Sequence, residues 1–223
     1  MMNLQFRGDR TPSECFFSGI SSGKRGLTFP KNETVFFQGD PADAVFYVQE
    51  GRVKLTVVSF GGKEATLSVL GPGDFFGVCC LGDQEERSNT ASTLEPSTLI
   101  RVEKDAMLRS LREQPALLEP FVAYLLKRTV NLQKDLCTQI LDPSEKRLAR
   151  VLLRLTQVTP DETQEECVRM PKLSHDTLAT MVGTTRSRVT YFMNKFRNQG
   201  LIDYDKGITV RPMQLSAMLQ EDF

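Results

Sequence analysis

The chain has 223 residues, 40% hydrophobic and 25% charged, with 28 Lys and Arg balancing 28 Asp and Glu. That length allows two domains with separate cores, and the composition is that of a globular protein. No apolar run reaches the roughly 18 residues of a membrane span and the N-terminus has no apolar signal region, so no membrane partner and a cytoplasmic location are expected.

Residues from about 27 to 102 read as all-β. Short apolar runs recur at Val35–Phe37, Val45–Val48, Val53–Val58, Thr66–Leu70 and Thr98–Val102. Glycine-rich turns separate them, among them Glu50-Gly51, Gly61-Gly62-Lys63 and Gly71-Pro72-Gly73-Asp74. Such spacing indicates a sandwich, jelly roll or barrel.

Helical patterning starts near Asp105–Arg112 and continues in a long helix from about Pro115 to Leu141. On it Leu118, Val122, Leu125, Thr129, Leu132, Leu136 and Ile140 recur with near-heptad spacing. A seam of this kind packs against a partner helix, here most simply that of a second copy, with one flank on the chain's own barrel. At Asp142-Pro143-Ser144-Glu145, Asp142 suits an N-cap, Pro143 the first helical position and Glu145 a capping box. A new helix from Glu145 to about Thr156 is expected, which makes the junction a domain boundary and a hinge. Residues 159–166 read as an acidic loop.

The segment Leu173–Ile202 then reads as helix, tight turn, helix. The first helix runs from Ser174 to about Met181, Gly183 supplies the turn, and the second starts after Thr184 or Thr185 and ends at Gly200. Two short helices joined this way form the DNA-reading unit of many regulators. Val189, Phe192, Met193 and Phe196 share one helix face and should pack inward. Ser187, Tyr191 and Asn194 then point outward, flanked by Arg188 and Lys195. From Met181 to Gly200 there are four cations, Arg186, Arg188, Lys195 and Arg197, and no acid. The basic character is thus local, as suits a short DNA site. An ordinary helix with a solvated basic face gives the same pattern, but Leu201–Tyr204 and Ile208–Val210 add a small hairpin, the mark of a winged helix. Lys206 at the hairpin tip suits either a phosphate contact or a plain turn.

The five cysteines, Cys15, Cys79, Cys80, Cys137 and Cys167, have no zinc or iron–sulfur spacing. They read as idle thiols, with the Cys79-Cys80 pair a candidate redox sensor. The single histidine, His175, follows the expected cap Ser174 and suits a phosphate contact or simple exposure. No nucleophile–base pair, metal motif or phosphate loop points to an enzyme.

The order of β-roll, long helix, hinge and winged helix resembles the CRP/FNR family of bacterial transcription regulators. Its carriers are Gly71-Pro72-Gly73-Asp74-Phe75-Phe76-Gly77 and Val182-Gly183-Thr184-Thr185-Arg186-Ser187-Arg188-Val189. The resemblance implies an α+β chain: a double-stranded β-helix or jelly-roll sensor domain over 1–114, a dimerisation helix over 115–141 and a winged helix-turn-helix domain over 142–223. It implies a homodimer on a pseudo-palindromic operator in double-stranded DNA, with RNA polymerase a candidate further partner. DNA contacts would fall to Ser174, His175, Thr185, Arg186, Ser187, Arg188, Thr190, Tyr191 and Lys195. An effector would sit near Phe76, Gly77, Val78, Cys79, Arg87, Ser88 and Asn131.

Two departures from the family pattern matter. Cyclic-AMP-responsive members carry a phosphate-binding cassette, Phe-Gly-Glu-Leu followed by Arg-Ser or Arg-Ala. Arg87-Ser88 matches its end, but Val78 stands where the ribose-binding glutamate belongs and has no acceptor. Cyclic AMP is therefore not the expected effector, and Arg87 could instead be a surface arginine paired with Glu85 or Glu86. In the reading helix, Arg186 keeps the family arginine, while Ser187 and Tyr191 replace the glutamate and second arginine. A different operator is expected. With Cys15 alone near the N-terminus and no histidine in the roll, neither an iron–sulfur nor a haem cofactor is expected, and the effector stays open. The alternative is a cyclic-nucleotide- or thiol-responsive sensor acting mainly through protein contacts.

Overall fold

The computed structural model describes residues 20, 22–82, 84–156, 167–171, 173–204 and 207–220. Cys15, the acidic loop at 159–166 and Lys206 lie outside these. The chain divides into two compact units, one ending at Thr129 and the other running from Val130 together with residues 64–66. The division thus falls inside the long helix, twelve residues or so before the Asp142-Pro143 junction where the sequence suggests it.

The first unit is the expected β-roll. Its strands are β1 (Lys24–Phe29), β2 (Thr34–Phe36), β3 (Ala44–Glu50), β4 (Val53–Val58), β5 (Glu64–Leu70, of which residues 64–66 group with the other unit), β6 (Phe75–Phe76), β7 (Thr90–Thr93) and β8 (Ser97–Glu103). They form two sheets, ordered β1-β8-β3-β6 and β2-β7-β4-β5, between which the chain shuttles. Strand β3 shows why the roll has two cores. Side chains alternate along a strand, so Ala44, Phe46 and Val48 enter the layer between the sheets, with Phe36, Val53, Leu55, Leu70, Phe76, Ala91 and Leu99. Val45 and Tyr47 face the other way, into a second core with Phe75, Val102, Met107, Leu111, Leu117 and Phe121. Both faces of β3 are covered, so its residues read as a continuous apolar run rather than an alternation.

The second core is closed by helices α1 (Lys104–Glu113) and α2 (Pro115–Leu141). Leu117, Phe121, Tyr124 and Arg128 recur at helical spacing along the docked face of α2. The last two also satisfy the exposed edge of β6. Phe75 N–H donates to the Tyr124 hydroxyl at 2.9 Å, and Arg128 Nη1 donates to the Phe75 carbonyl at 2.5 Å. An unpaired strand edge is thereby capped by side chains instead of a further strand. Burial pushes the Tyr124 phenol pKa up, against the lowering effect of Arg128.

The second unit packs α3 (Ser144–Thr156), α4 (His175–Val182), α5 (Arg186–Asn198) and α6 (Pro212–Gln220) with strands β9 (Val168–Arg169), β10 (Ile202–Asp203) and β11 (Thr209–Val210). The hairpin of β10 and β11 is the expected wing, and β9 extends it to three strands in the order β10-β11-β9. Leu148, Leu152, Leu178, Val182, Val189, Met193, Phe196, Val210 and Leu215 are buried at its centre.

Removing Phe76, fully buried between Phe36 and Phe46, should cost about 3–5 kcal/mol as Phe76→Ala. Phe60, fully exposed at the β4–β5 turn, should change stability by no more than about 0.5 kcal/mol as Phe60→Ala. Urea unfolding followed by circular dichroism checks both.

Candidate nucleic-acid interface and sensor cassette

Side-chain caps define the two reading helices. Ser174 Oγ accepts from Thr177 N–H at 3.0 Å at the start of α4. At its end Gly183 has φ +69°, a left-handed conformation that glycine adopts without strain, and Thr184 N–H donates to the Ala179 carbonyl at 3.0 Å. Helix α5 begins on Thr185, whose Oγ1 accepts from Arg188 N–H at 3.4 Å. Both helix starts therefore fall where the sequence places them.

Val189, Phe192, Met193 and Phe196 are all buried. Arg186, Ser187, Arg188, Tyr191 and Asn194 are exposed, with Tyr191 at 66%. The four inward and three outward side chains thus match the periodic reading. Arg188 lies over the Phe192 ring at 5.9 Å, keeping its cation at the surface.

Four of the expected DNA contacts have intramolecular partners that periodicity could not reveal. His175 is half-buried, and its Nδ1 hydrogen-bonds Thr190 Oγ1 at 2.8 Å, so it is neither free nor simply exposed. Thr190 Oγ1 also donates to the Arg186 carbonyl at 3.0 Å. Arg186 Nη1 lies 3.7 Å from Asp176 Oδ2 on the neighbouring helix, both side chains being well exposed. Lys195 is held by Glu145 of α3 at 2.7 Å, and that hydrogen bond raises the pKa of its ammonium. Glu145 thus serves α5 rather than a capping box. Asp142 likewise accepts from Arg150 Nε at 2.7 Å.

The junction after α2 is tied down within the second unit. Arg154 pairs with Asp135. Arg147 Nη1 donates to the Gln139 carbonyl at 3.0 Å, and Gln139 Nε2 donates to the Met181 carbonyl at 3.2 Å. These contacts join the last turns of α2 to α3 and α4, so within this unit the junction is braced rather than loose.

In the roll, the cassette residues divide between the two cores. Phe76 is buried in the inter-sheet core, and Val78 packs against the helix-side core from a short 3-10 helix, Val78–Leu81. Cys79 is exposed and Cys80 buried. Burial pushes the Cys80 thiol pKa up, which disfavours the reactive thiolate.

Arg87 is 5% exposed and pairs with neither Glu85 nor Glu86. Its Nη1 donates to the carbonyls of Ala44 at 2.8 Å and Gly77 at 3.3 Å, and its Nη2 reaches Asp43 Oδ1 at 3.3 Å. The guanidinium carbon stacks 4.4 Å from the Phe36 ring centre. Burial lowers its pKa, and Asp43 partly offsets this. Gly77 admits the arginine: it has φ +69°, and a Cβ there would lie 2.5 Å from Arg87 Nη1. Arg87 also lines an open pocket of about 480 Å³, together with Phe37, Gln38, Val58, Glu86, Ser88 and Thr90, among others. Asn131 is exposed on the second unit, whereas the cassette belongs to the first.

On α2, Leu118, Val122, Leu132, Leu136 and Ile140 are 42–71% exposed. Thr129 is exposed as well, its hydroxyl donating to the Leu125 carbonyl at 3.0 Å. Leu125 packs partly against the roll. The expected seam is therefore a mostly uncovered apolar stripe beside the docked face.

Comparison with known proteins places these parts together. A cyclic nucleotide-binding domain model matches residues 27–114, and a Crp-like helix-turn-helix domain model matches residues 146–217. A global nitrogen regulator of Synechococcus elongatus is 32% identical over 207 residues, covering 90% of this chain and 93% of its own length. A cyclic AMP receptor protein of Thermus thermophilus is 28% identical over 193 residues, 86% of this chain and 85% of its own. The solved structure of a CRP/FNR-family transcriptional regulator from Thermus thermophilus superposes with a TM-score of 0.69 at 26% identity, covering 88% of this chain and 98% of that one. Roll, long helix and reading head follow one another as in these proteins, and the chain belongs to the CRP/FNR family of DNA-binding transcription regulators.

Proposed function

We propose that the chain acts as a homodimer that reads a pseudo-palindromic operator and answers to a signal other than cyclic AMP in its roll. The observation that carries the DNA reading is the outward row of α5. Arg186, Ser187, Arg188 and Tyr191 are exposed beside a fully buried apolar row. Arg186 suits guanine O6 and N7, and Ser187 and Tyr191 suit further base edges. Arg188, Lys195 and the Ser174 and Thr185 hydroxyls suit phosphates, whereas the Thr190 hydroxyl and His175 Nδ1 are engaged with the Arg186 carbonyl and with each other. Two heads would sit about one helical turn of DNA apart. A regulator working on DNA in this way belongs in the cytoplasm.

The exposed stripe from Leu118 to Ile140 supports dimerisation through α2. Isolated surface leucines are ordinary, but a row at near-heptad spacing suits a matching helix, and two-fold symmetry supplies one.

The effector assignment rests on Arg87 and Val78. Both Nη atoms of Arg87 are already given to two backbone carbonyls and Asp43, so of its three nitrogens only the buried Nε, which has no hydrogen-bond partner, is left for an anion. Val78 adds no bond to a ribose hydroxyl. The pocket that Arg87 lines with Glu86, Ser88 and Thr90 carries a carboxylate beside the cation, which suits a different ligand.

Three measurements test this reading. On a duplex selected by the wild-type protein from a random library, Arg186→Ala should lose about 1–3 kcal/mol, with far less loss on a scrambled duplex. Equal loss on both would remove Arg186 from base reading. Leu132→Glu with Leu136→Glu should turn the dimer into a monomer in sedimentation velocity; a persistent dimer would place the interface elsewhere. Cyclic AMP at 1 mM should leave the melting temperature unchanged, whereas a ligand at about 100 times its Kd adds about 2.7 kcal/mol and several degrees.

A further inference from the structure

We propose that Asp176 determines specificity by holding the reading arginine, Arg186, toward the bases and away from phosphates. The inference rests on Arg186 as the base-reading side chain. Asp176 lies in the first turn of α4 and Arg186 in the first turn of α5, with Asp176 Oδ2 3.7 Å from Arg186 Nη1. Both side chains are about two-thirds exposed or more, so the carboxylate stands on the surface that would approach DNA. A carboxylate in that place repels phosphate. It therefore lowers affinity for every duplex unless it does something selective for one.

The neighbouring hydrogen bonds supply the selective role. The Thr190 hydroxyl has one proton, which it gives to the Arg186 carbonyl. His175 Nδ1–H is then the donor to Thr190 Oγ1, at 2.8 Å. The first turn of α4 thus holds Arg186 twice, its main chain through His175 and Thr190 and its guanidinium through Asp176. A free arginine on a helix surface samples many rotamers and pairs with whichever phosphate is nearest. One held by a carboxylate keeps its fork in place for two parallel bonds to a guanine edge. It also carries a local counter-charge, so it gains less from phosphates alone. The pair contributes discrimination more than affinity.

The test is Asp176→Asn, which keeps shape and removes charge. Binding is followed by fluorescence anisotropy from 50 to 200 mM salt, on the library-selected duplex and on a scrambled duplex of equal length. The variant should bind the scrambled duplex about threefold more tightly at low salt. Its salt slope there should be steeper by about 0.9, as one more cation becomes available to phosphate. The selected duplex should gain nothing, so the ratio of the two affinities falls about threefold or more. In an Arg186→Ala background the same change should leave that ratio unaltered. Equal tightening on both duplexes, or the same change of ratio without Arg186, overturns the proposal. If Arg186→Ala itself weakens both duplexes alike, it is the base-reading role that fails, a result distinct from either.

Discussion

The rotation of α5 about its own axis is the constraint on which the reading head depends. Val189, Phe192, Met193 and Phe196 are all buried, and each such side chain is worth about 1.5–3 kcal/mol relative to exposure. Turning the helix by one residue, about 100°, would expose part of that row and bury polar side chains in its place. The outward set is therefore a consequence of the inward one. The caps fix where the helix starts, since Ser174, Gly183 and Thr185 each satisfy or redirect backbone groups at a helix end. Rotation and start together decide which side chains reach a groove.

The roll depends on a different kind of constraint. A buried guanidinium needs acceptors on several sides, and the two Nη atoms of Arg87 find them on β3 at Ala44, at the Gly77 bend and on Asp43, while its buried Nε has none. Gly77 leaves the space, and Phe36 offers its ring face. Asp43 is shared with Arg101 of β8 at 2.6 Å. One arginine thereby links β3, the cassette bend and, through Asp43, the neighbouring strand. A residue that matches a ligand-binding motif by sequence thus also ties strands together.

What was legible in the sequence follows from the range of the interactions. The long helix Pro115–Leu141, the turn at Gly183 and the buried row of α5 are set by local periodicity and capping, and they stand where the residues imply. Strand β7, Thr90–Thr93, is not legible as a strand because its buried members are Ala91 and Thr93, which carry little hydrophobic signal. Strands β6 and β9 are two residues each, too short for any period, whereas β10 and β11, as short, are legible through the turn between them. Helix α6 does carry a signal, Pro212 at its first position. The partners of Arg87, Lys195 and Arg186 come from residues 10 to 50 positions away, and only the folded chain brings them near. So the sequence shows which side chains are available to a site, whereas the fold decides which of them are already engaged.

That distinction bears on the chain's zero net charge. Read along the sequence, the stretch from Met181 to Gly200 is purely basic. In three dimensions two of its four cations face carboxylates from elsewhere, Arg186 from Asp176 on α4 and Lys195 from Glu145 on α3. Arg188 keeps its charge at the surface over Phe192. Random DNA is bound through cations that release counterions, and each cation with a protein partner contributes less to that term. Pairing the cations therefore weakens nonspecific binding more than it weakens base contacts, which depend on geometry. A head with few free charges and a fixed helix rotation must gain its affinity from fit.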